Sequence, residues 1–287
     1  MPKTTKPASK QSYQARAKAH LADWKVARLG VTESGVWEKN GRQYRHILPR
    51  SLRRLNIIEP VRSEFFTHPR TRRIKLHSDF HHLTSSQALC FNLFFPFLAT
   101  PGVDAHPLLK VLGVSWRRVV DWWFEHVPAI PKGEGTNFDL FAESDTGERL
   151  YVEVKFTENA FGGTDADDKH RAKLDSIYRR ALAGKVRETA LDEAYFFKHY
   201  QLLRNVSYAD PGARARVVFL VPRANESLLK ALADFDLCLL DSVRSVVAVV
   251  FLEDLLDGLA SSAPDPGPLG SVCISLLKEK YVVPSTR

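Results

Sequence analysis

Asp139, Glu153 and Lys155 are the residues whose types and spacing in this chain can do chemistry. The segments Thr136-Asn137-Phe138-Asp139-Leu140-Phe141 and Leu150-Tyr151-Val152-Glu153-Val154-Lys155-Phe156 read as two short apolar strands, and Glu143-Ser144-Asp145-Thr146-Gly147-Glu148 between them has hairpin-turn chemistry. Side chains alternate along a strand. Asn137 and Asp139 are therefore expected on the face opposite Phe138 and Leu140, and Glu153 and Lys155 on the face opposite Val152, Val154 and Phe156. Pairing the strands gathers two carboxylates and an ammonium on rigid backbone, a donor set for a hard divalent cation such as Mg2+. Mg2+ keeps several waters and takes one or two protein carboxylates, so Asp139 and Glu153 suffice as ligands, with Mn2+ expected to substitute. A cation so held can bind a phosphate oxygen, acidify a water and offset the charge that develops in phosphodiester hydrolysis. Lys155 can reach the same water, as a base or as a fixed cation according to its pKa. Glu153 and Lys155 also fit a plain salt-bridged pair on a solvent-facing strand.

The elements that must position these groups can be read around them. Residues 84–98 predict a buried helix capped by Thr84 or Ser85 with Pro96 at its end. Residues 105–114 read as a short helix and turn, and 117–128 fit either a strand or a helix, with the strand preferred and Glu125 near its end. After a loop at 157–163, residues 166–184 predict an exposed charged helix and 190–204 an amphipathic one. Strands at 217–221 and 245–251 alternate with helices near 224–236 and 252–260. Residues 261–270 read as a loop before a short terminal element. Antiparallel strands followed by strand–helix alternation imply an α/β fold, a mixed central sheet flanked by helices. The expected organisation is a flexible basic arm or frayed helix start over 1–20, an N-terminal basic subdomain over 21–83, a core over 84–260 and a C-terminal piece over 261–287.

The net charge of +8 is uneven: residues 1–75 carry 18 Lys/Arg against 5 Asp/Glu, while the rest carries 23 against 28. A basic excess confined to one region favours a polyanion, above all nucleic acid. Arg50, Arg53 and Arg54, then Arg70, Arg72 and Arg73, lie near Phe65 and Phe66, an interleaving that can grip phosphates and stack on bases, or simply pair surface arginines with core aromatics. Cys90, Cys238 and Cys273 form no CxxC pair, and neither a signal peptide nor a membrane span is evident, so a reducing, cytoplasmic setting is expected. His77, Asp79, His81 and His82 match no zinc spacing. The chain has neither a Gly-x-Ser-x-Gly elbow nor a phosphate-binding Gly-x-x-x-x-Gly-Lys-Ser/Thr loop.

Gly-Thr-Asn-Phe-Asp at 135–139 followed by Tyr-Val-Glu-Val-Lys-Phe-Thr-Glu at 151–158 resembles the PD-(D/E)xK nuclease superfamily. Ser85-Ser-Gln-Ala-Leu-Cys-Phe-Asn-Leu-Phe94 and Tyr44-Arg-His-Ile-Leu-Pro49 are similar to segments of a bacterial restriction-endonuclease-like family within it. The likeness spans roughly residues 37–221. It implies a restriction-endonuclease-like sheet and metal-dependent hydrolysis of DNA, RNA not being excluded. Asp139 and Glu153 would be metal ligands, and Lys155 would orient the attacking water or stabilise charge. Gln201 resembles a glutamine that some members place beside the site. Many members put an acid on the helix before the hairpin; here that helix offers Gln87 and Asn92. Glu125 is the candidate replacement carboxylate and third metal ligand, and Glu158 reads as a loop acid. Cutting both strands calls for two sites, so a homodimer is an expectation. A nuclease fold that binds nucleic acid without cutting it, and a partner-binding protein with no nucleic-acid role, are the rival readings.

Overall fold

The apolar runs of the chain's middle assemble into one mixed sheet because each is bounded by turn residues and flanked by helices that cover it. The computed structural model describes residues 11–101, 103–116, 118–128, 135–262 and 267–284. Three antiparallel strands, β3 (Val119–His126), β4 (Phe138–Ser144) and β5 (Arg149–Val154), come after a small hairpin of β1 (Gly35–Trp37) and β2 (Arg42–Tyr44). β6 (Ala215–Val221) and β7 (Val247–Phe251) then add in parallel, giving the order β3-β4-β5-β6-β7. Parallel strands need a crossover. The β5–β6 crossover carries α5 (Asp168–Lys173), a π turn and α6 (Arg179–Leu182), then α7 (Glu193–Lys198) and α8 (Tyr200–Val206). The β6–β7 crossover carries α9 (Glu226–Asp236) and α10 (Asp241–Arg244).

Two apolar cores lie on the two faces of this sheet. One face presents Leu140, Ala142, Val152, Val154, Val218 and Leu220 to α1 (Tyr13–Leu29), α2 (Glu59–Thr67), α3 (Ser86–Leu98), α4 (His106–Val111), α11 (Leu252–Ala260) and α12 (Gly267–Tyr281). The other presents Phe141, Tyr151, Val217 and Phe219 to the crossover helices. Alternation of side chains along β5 and β6 explains this partition.

Several expectations change. Within the arm or frayed helix start expected over 1–20, Ser12 caps α1 through its hydroxyl, and Tyr13 and Ala17 are buried in the sheet-facing core. Residues 1–10 lie outside the described residues. The core also draws on Leu48, Ile57, Val61, Phe65 and Leu83, so the region expected as an N-terminal subdomain packs directly on α3 and α12. The loop and short element expected after 260 are replaced, from Gly267, by a 15-residue helix whose Cys273, Ile274, Leu277 and Tyr281 are buried. Its glycines and prolines hid it, because they are weak helix formers. The helix expected at 190–204 is broken at His199, the junction of α7 and α8, and the charged helix at 166–184 buries Leu174, Tyr178 and Leu182.

A polar knot ties these layers together. The fully buried Asn92 of α3 accepts from Ile58 N at 2.9 Å and donates to Asn56 O at 2.9 Å and Tyr281 Oη at 2.6 Å. Lys280 Nζ donates to Asn56 O at 2.7 Å and Asn56 Oδ1 at 2.9 Å, and lies over the Trp24 ring. Burial without a carboxylate pushes the Lys280 pKa well below the ordinary lysine value, with Arg62 adding to the effect. A depressed lysine means that the unfolded chain binds the proton that the folded one rejects, so stability rises with pH across the interval from the folded to the unfolded pKa. Lys280→Met is expected to raise the melting temperature at pH 6 and to flatten that rise, as measured by thermal denaturation between pH 6 and 9.

Candidate active site

The site forms where three strands leave regular pairing at the same level. Phe124 pairs with Leu140 and His126 with Phe138, so Glu125 lies opposite Asp139. Leu140 pairs with Val152, and this β4–β5 pairing ends there, so Asp139 and Glu153 flank the point where the strands part. The Asp139 side chain fills the gap: its Oδ2 accepts from Val154 N at 2.7 Å, taking the place of a strand carbonyl. Alternation breaks in the same row. Phe138 packs into the crossover-helix core and Leu140 into the opposite one, two residues apart where a regular strand would keep them together. Glu125 has φ 52°, a left-handed conformation rare for a residue of this type, and it re-aims the side chain out of the regular pleat. The expected placing of Phe138 and Leu140 together on one face is therefore corrected, while Asn137 and Asp139 both line one cleft; irregular backbone at this row places the acids.

Glu153 is 3% exposed and closely held. Its Oε1 accepts from Gln201 Nε2 at 2.7 Å and lies 2.9 Å from Lys155 Nζ, while its Oε2 accepts from Asn205 Nδ2 at 3.2 Å. Gln201 and Asn205 are one turn apart on α8 and so share a helix face. Gln201 N donates to Gly162 O at 3.3 Å, and Gly162, at φ 93°, lets the 157–163 loop approach; a Cβ there would meet Gln201 Oε1 at 3.3 Å. Lys155 sits just past β5, its N bonded to Leu220 O at 2.9 Å. The expected solvent-facing salt bridge is thus a largely buried one, with side-chain exposures of 15% for Lys155 and 4% for Glu153.

Glu125 is placed by residues on two sides. Gln87 Nε2 donates to Glu125 Oε1 at 2.7 Å, and Asn137 Nδ2 donates to Glu125 Oε2. Gln87 is itself fixed by accepting from His77 N at 2.9 Å. The two polar residues of α3 thus divide: Gln87 faces the site, and Asn92 belongs to the interior knot. Glu158 accepts from Phe156 N at 2.7 Å, a local turn bond. Asn205, Asn137 and Gln87 were not singled out as site residues from the sequence; the i,i+4 spacing of Gln201 and Asn205 was the available signal for the first.

Electrostatics follow from this burial. Desolvation, then the Glu153 charge, push the Asp139 carboxyl well above the usual carboxylate range, against the opposing pull of Lys155 and the Val154 amide. Burial alone would pull Lys155 down; Glu153, Asp139 and Glu158 outweigh it and hold its pKa above the ordinary lysine value. Among the described residues no donor binds the second Asp139 oxygen, and no cluster of three or more His, Cys, Asp or Glu is close enough to hold a metal ion by itself, the His77–His82 segment included.

The acids, Lys155, Gln87, Asn137 and Gln201 line one cleft of about 1560 Å3, and Asn205 lies buried behind Glu153. Asp139, Glu153, Lys155, Gln201 and Glu125 lie within the cleft, and Arg70, Arg73, Lys75 and Arg204 line its walls. Trp123, 39% exposed, stands at the same cleft with the Arg70 guanidinium 4.7 Å from its ring centre. Only part of the N-terminal basic excess is available here. Lys25 is buried against the Glu33 and Ile47 carbonyls, and Arg28 and Arg45 pair with Glu279 and Asp23. No described helix is long and apolar enough to cross a membrane.

No curated protein and no solved structure matches the chain. A family model described as "Restriction Endonuclease associating with ARP" matches residues 18–282, which take in the whole sheet with Asp139, Glu153 and Lys155, and the chain belongs to that restriction-endonuclease family.

Proposed function

We propose that this protein is a Mg2+-dependent endonuclease that hydrolyses phosphodiester bonds of DNA at the Asp139–Glu153–Lys155 cluster, with Mn2+ able to substitute. A nuclease role follows from the family; the metal, the substrate and the residue roles are our reading. The observation that carries it is a row of acids across β3, β4 and β5 beside a buried ammonium, at the floor of a cleft with basic walls. The donor set suits the cation. Asp139 keeps one oxygen without a donor, and its raised pKa marks a buried anionic pair that lacks sufficient positive charge. Asp139 and Glu153 would hold the ion, with Glu125 near enough to add to the negative field. Bound there, Mg2+ would polarise the phosphate and acidify a water.

The chain's own residues supply the rest. Gln201 and Asn205 fix the Glu153 carboxylate, so its position costs little reorganisation during reaction. Lys155, held protonated by its acidic neighbours, acts as a fixed cation toward the negatively charged transition state and does not accept a proton. Arg73 and Lys75 hold the backbone of the polymer by charge, Arg70 being paired with Asp121. A homodimer would supply the two sites that double-strand cutting requires. A cytoplasmic setting in restriction or phage defence is consistent with the family description.

The test is incubation of supercoiled plasmid with Mg2+, with Mn2+ and with chelator. Nicked or linear product is expected with either metal and none with chelator. Cleavage that persists in Asp139→Ala refutes the assignment. A second reading, a nuclease fold that binds DNA without cutting it, is favoured by one observation: α3 presents Gln87 where many members of the superfamily carry an acid, and Gln87 is already engaged with Glu125. Calorimetry separates the two, because the inactive form would bind DNA with salt-dependent affinity yet give no Mn2+ isotherm that Asp139→Ala removes.

A further inference from the structure

Beside the catalytic cleft lies a second, smaller cavity of about 460 Å3. The two share a wall made of Ile74, Leu76, His77 and Ser78. The smaller cavity is lined by Arg50, Arg53, Arg54 and Arg72 and, among the described residues, by no acid, with Phe65, Phe66, Ile74 and Leu76 supplying apolar surface. The arginines differ in their engagements. Arg50 pairs with Glu38, and the Arg54 guanidinium lies 4.3 Å from the Phe66 ring centre. The Arg53 and Arg72 side chains are exposed and have no hydrogen-bonded or ion-paired partner among the described residues. The remaining polar groups are largely spoken for: Thr71 Oγ1 donates to Phe65 O, and the two ring nitrogens of His81 lie 3.2 Å from Ser78 O and 3.0 Å from Val36 O.

Two unpaired guanidiniums beside aromatic and aliphatic surface recognise a group that is anionic at one end and flat and apolar at the other. Arginine binds phosphate through its planar fork and stacks on aromatic faces. A duplex, roughly 20 Å across by the groove and backbone dimensions of B-DNA, cannot enter a cavity of this size, whereas a single unpaired nucleotide can. We infer that this cavity is a nucleotide subsite that takes one unpaired nucleotide of the strand lying in the catalytic cleft, its phosphate on Arg53 and Arg72 and its base against Phe66 and Leu76. The inference rests on the nuclease reading for the identity of the polymer. It adds that the enzyme recognises a nucleotide drawn out of the stack or left at a strand end. Unstacking costs a few kcal/mol, and least for a nucleotide that is already unpaired.

The experiment uses the full chain in chelator, so that binding is read without cleavage. Fluorescence anisotropy compares a fully paired duplex with the same duplex carrying one bulged nucleotide, for the wild type and for Arg53→Ala/Arg72→Ala. Both positions are exposed, and a melting curve verifies the fold of the variant. The wild type is expected to bind the bulged duplex about tenfold more tightly. The variant should lose that preference, and its slope of log K against log salt on the bulged duplex should fall by about one, for the one phosphate contact removed. Equal binding of the two duplexes by the wild type, or a preference retained in the variant, overturns the proposal. A third arm adds free deoxynucleoside monophosphate, with inorganic phosphate as control. Arginine-dependent binding of the monophosphate without any bulge preference assigns the cavity to a free nucleotide and overturns the strand-borne source. Failure of the nuclease reading looks different: arginine-dependent bulge preference together with no metal-dependent cleavage of plasmid would leave the subsite standing and remove the enzyme.

Discussion

Asp139→Asn is expected to abolish metal-dependent cleavage while raising the melting temperature of the metal-free protein. The two effects have one origin. Asp139 is buried beside Glu153, and its carboxyl is held well above the usual range. The folded chain therefore keeps a proton that the unfolded chain has released, and stability falls as pH rises from the ordinary aspartate value through the folded one. Above that interval the full penalty of two close buried carboxylates is present. An asparagine can still accept from Val154 N through its amide oxygen, so the bond that closes the parted strands survives. Relief of the charge should contribute on the order of 1–2 kcal/mol, or about 2–8 °C for a chain of this size. The same substitution removes a charged metal ligand, so Mg2+ at about a hundred times its Kd, which would stabilise the wild type by about 2.7 kcal/mol, should leave the variant unmoved. Metal binding to the wild type should also release protons, and its affinity should weaken as pH falls. Differential scanning calorimetry from pH 5 to 8, with and without Mg2+, reads all of this. A variant that melts below the wild type at pH 8 without metal would show that Asp139 is a structural anion and not a strained ligand.

That coupling of strain to site explains why some of the site was legible in the sequence and some was not. Asp139, Glu153 and Lys155 announced themselves because a hairpin of apolar strands carries few polar residues, and each one present needs a reason. The mixed sheet followed from the same runs, since β5, β6 and β7 lie where apolar stretches were bounded by turns. Three things escaped. The row that gathers the acids depends on a left-handed Glu125 and on the shift of Phe138 and Leu140 into opposite cores, and period two cannot foresee its own interruption. Asn205 and Gln87 act through contacts 52 and 38 residues away, and no local pattern encodes such pairings. The helix at 267–281 is read poorly because its first turn contains Gly267, Pro268 and Gly270, yet Leu277 and Tyr281 are fully buried in the common core. In each case tertiary packing overrides the local signal.

The ammonium of Lys155 is the other large effect. Lys155→Met removes the one cation in contact with Glu153 among the described residues and is expected to lower kcat at saturating Mg2+ by about a thousandfold, the upper range for loss of one preorganised charge-stabilising donor. Glu153 would retain Gln201 and Asn205, but two buried carboxylates would lose their cation, so a destabilisation of about 3–5 kcal/mol is expected and rates are read below the melting transition of the variant. The informative comparison is Lys155→Arg. A fixed cation needs charge near the reacting phosphate, and arginine supplies that charge at a displaced position, so activity should return to within about ten- to a hundredfold of the wild type. A base needs a proton that can leave, and arginine holds its proton throughout the working range. In the metal-free protein the acidic neighbours of Lys155 raise its pKa above the ordinary lysine value, and a fixed-cation role predicts no rising limb of kcat between pH 6 and 9 that belongs to this residue. Single-turnover rates for the three proteins across that range decide between the roles. A limb that disappears in Lys155→Arg along with all activity would make Lys155 the general base, and the charge-stabilising role argued from its contact with Glu153 would fall.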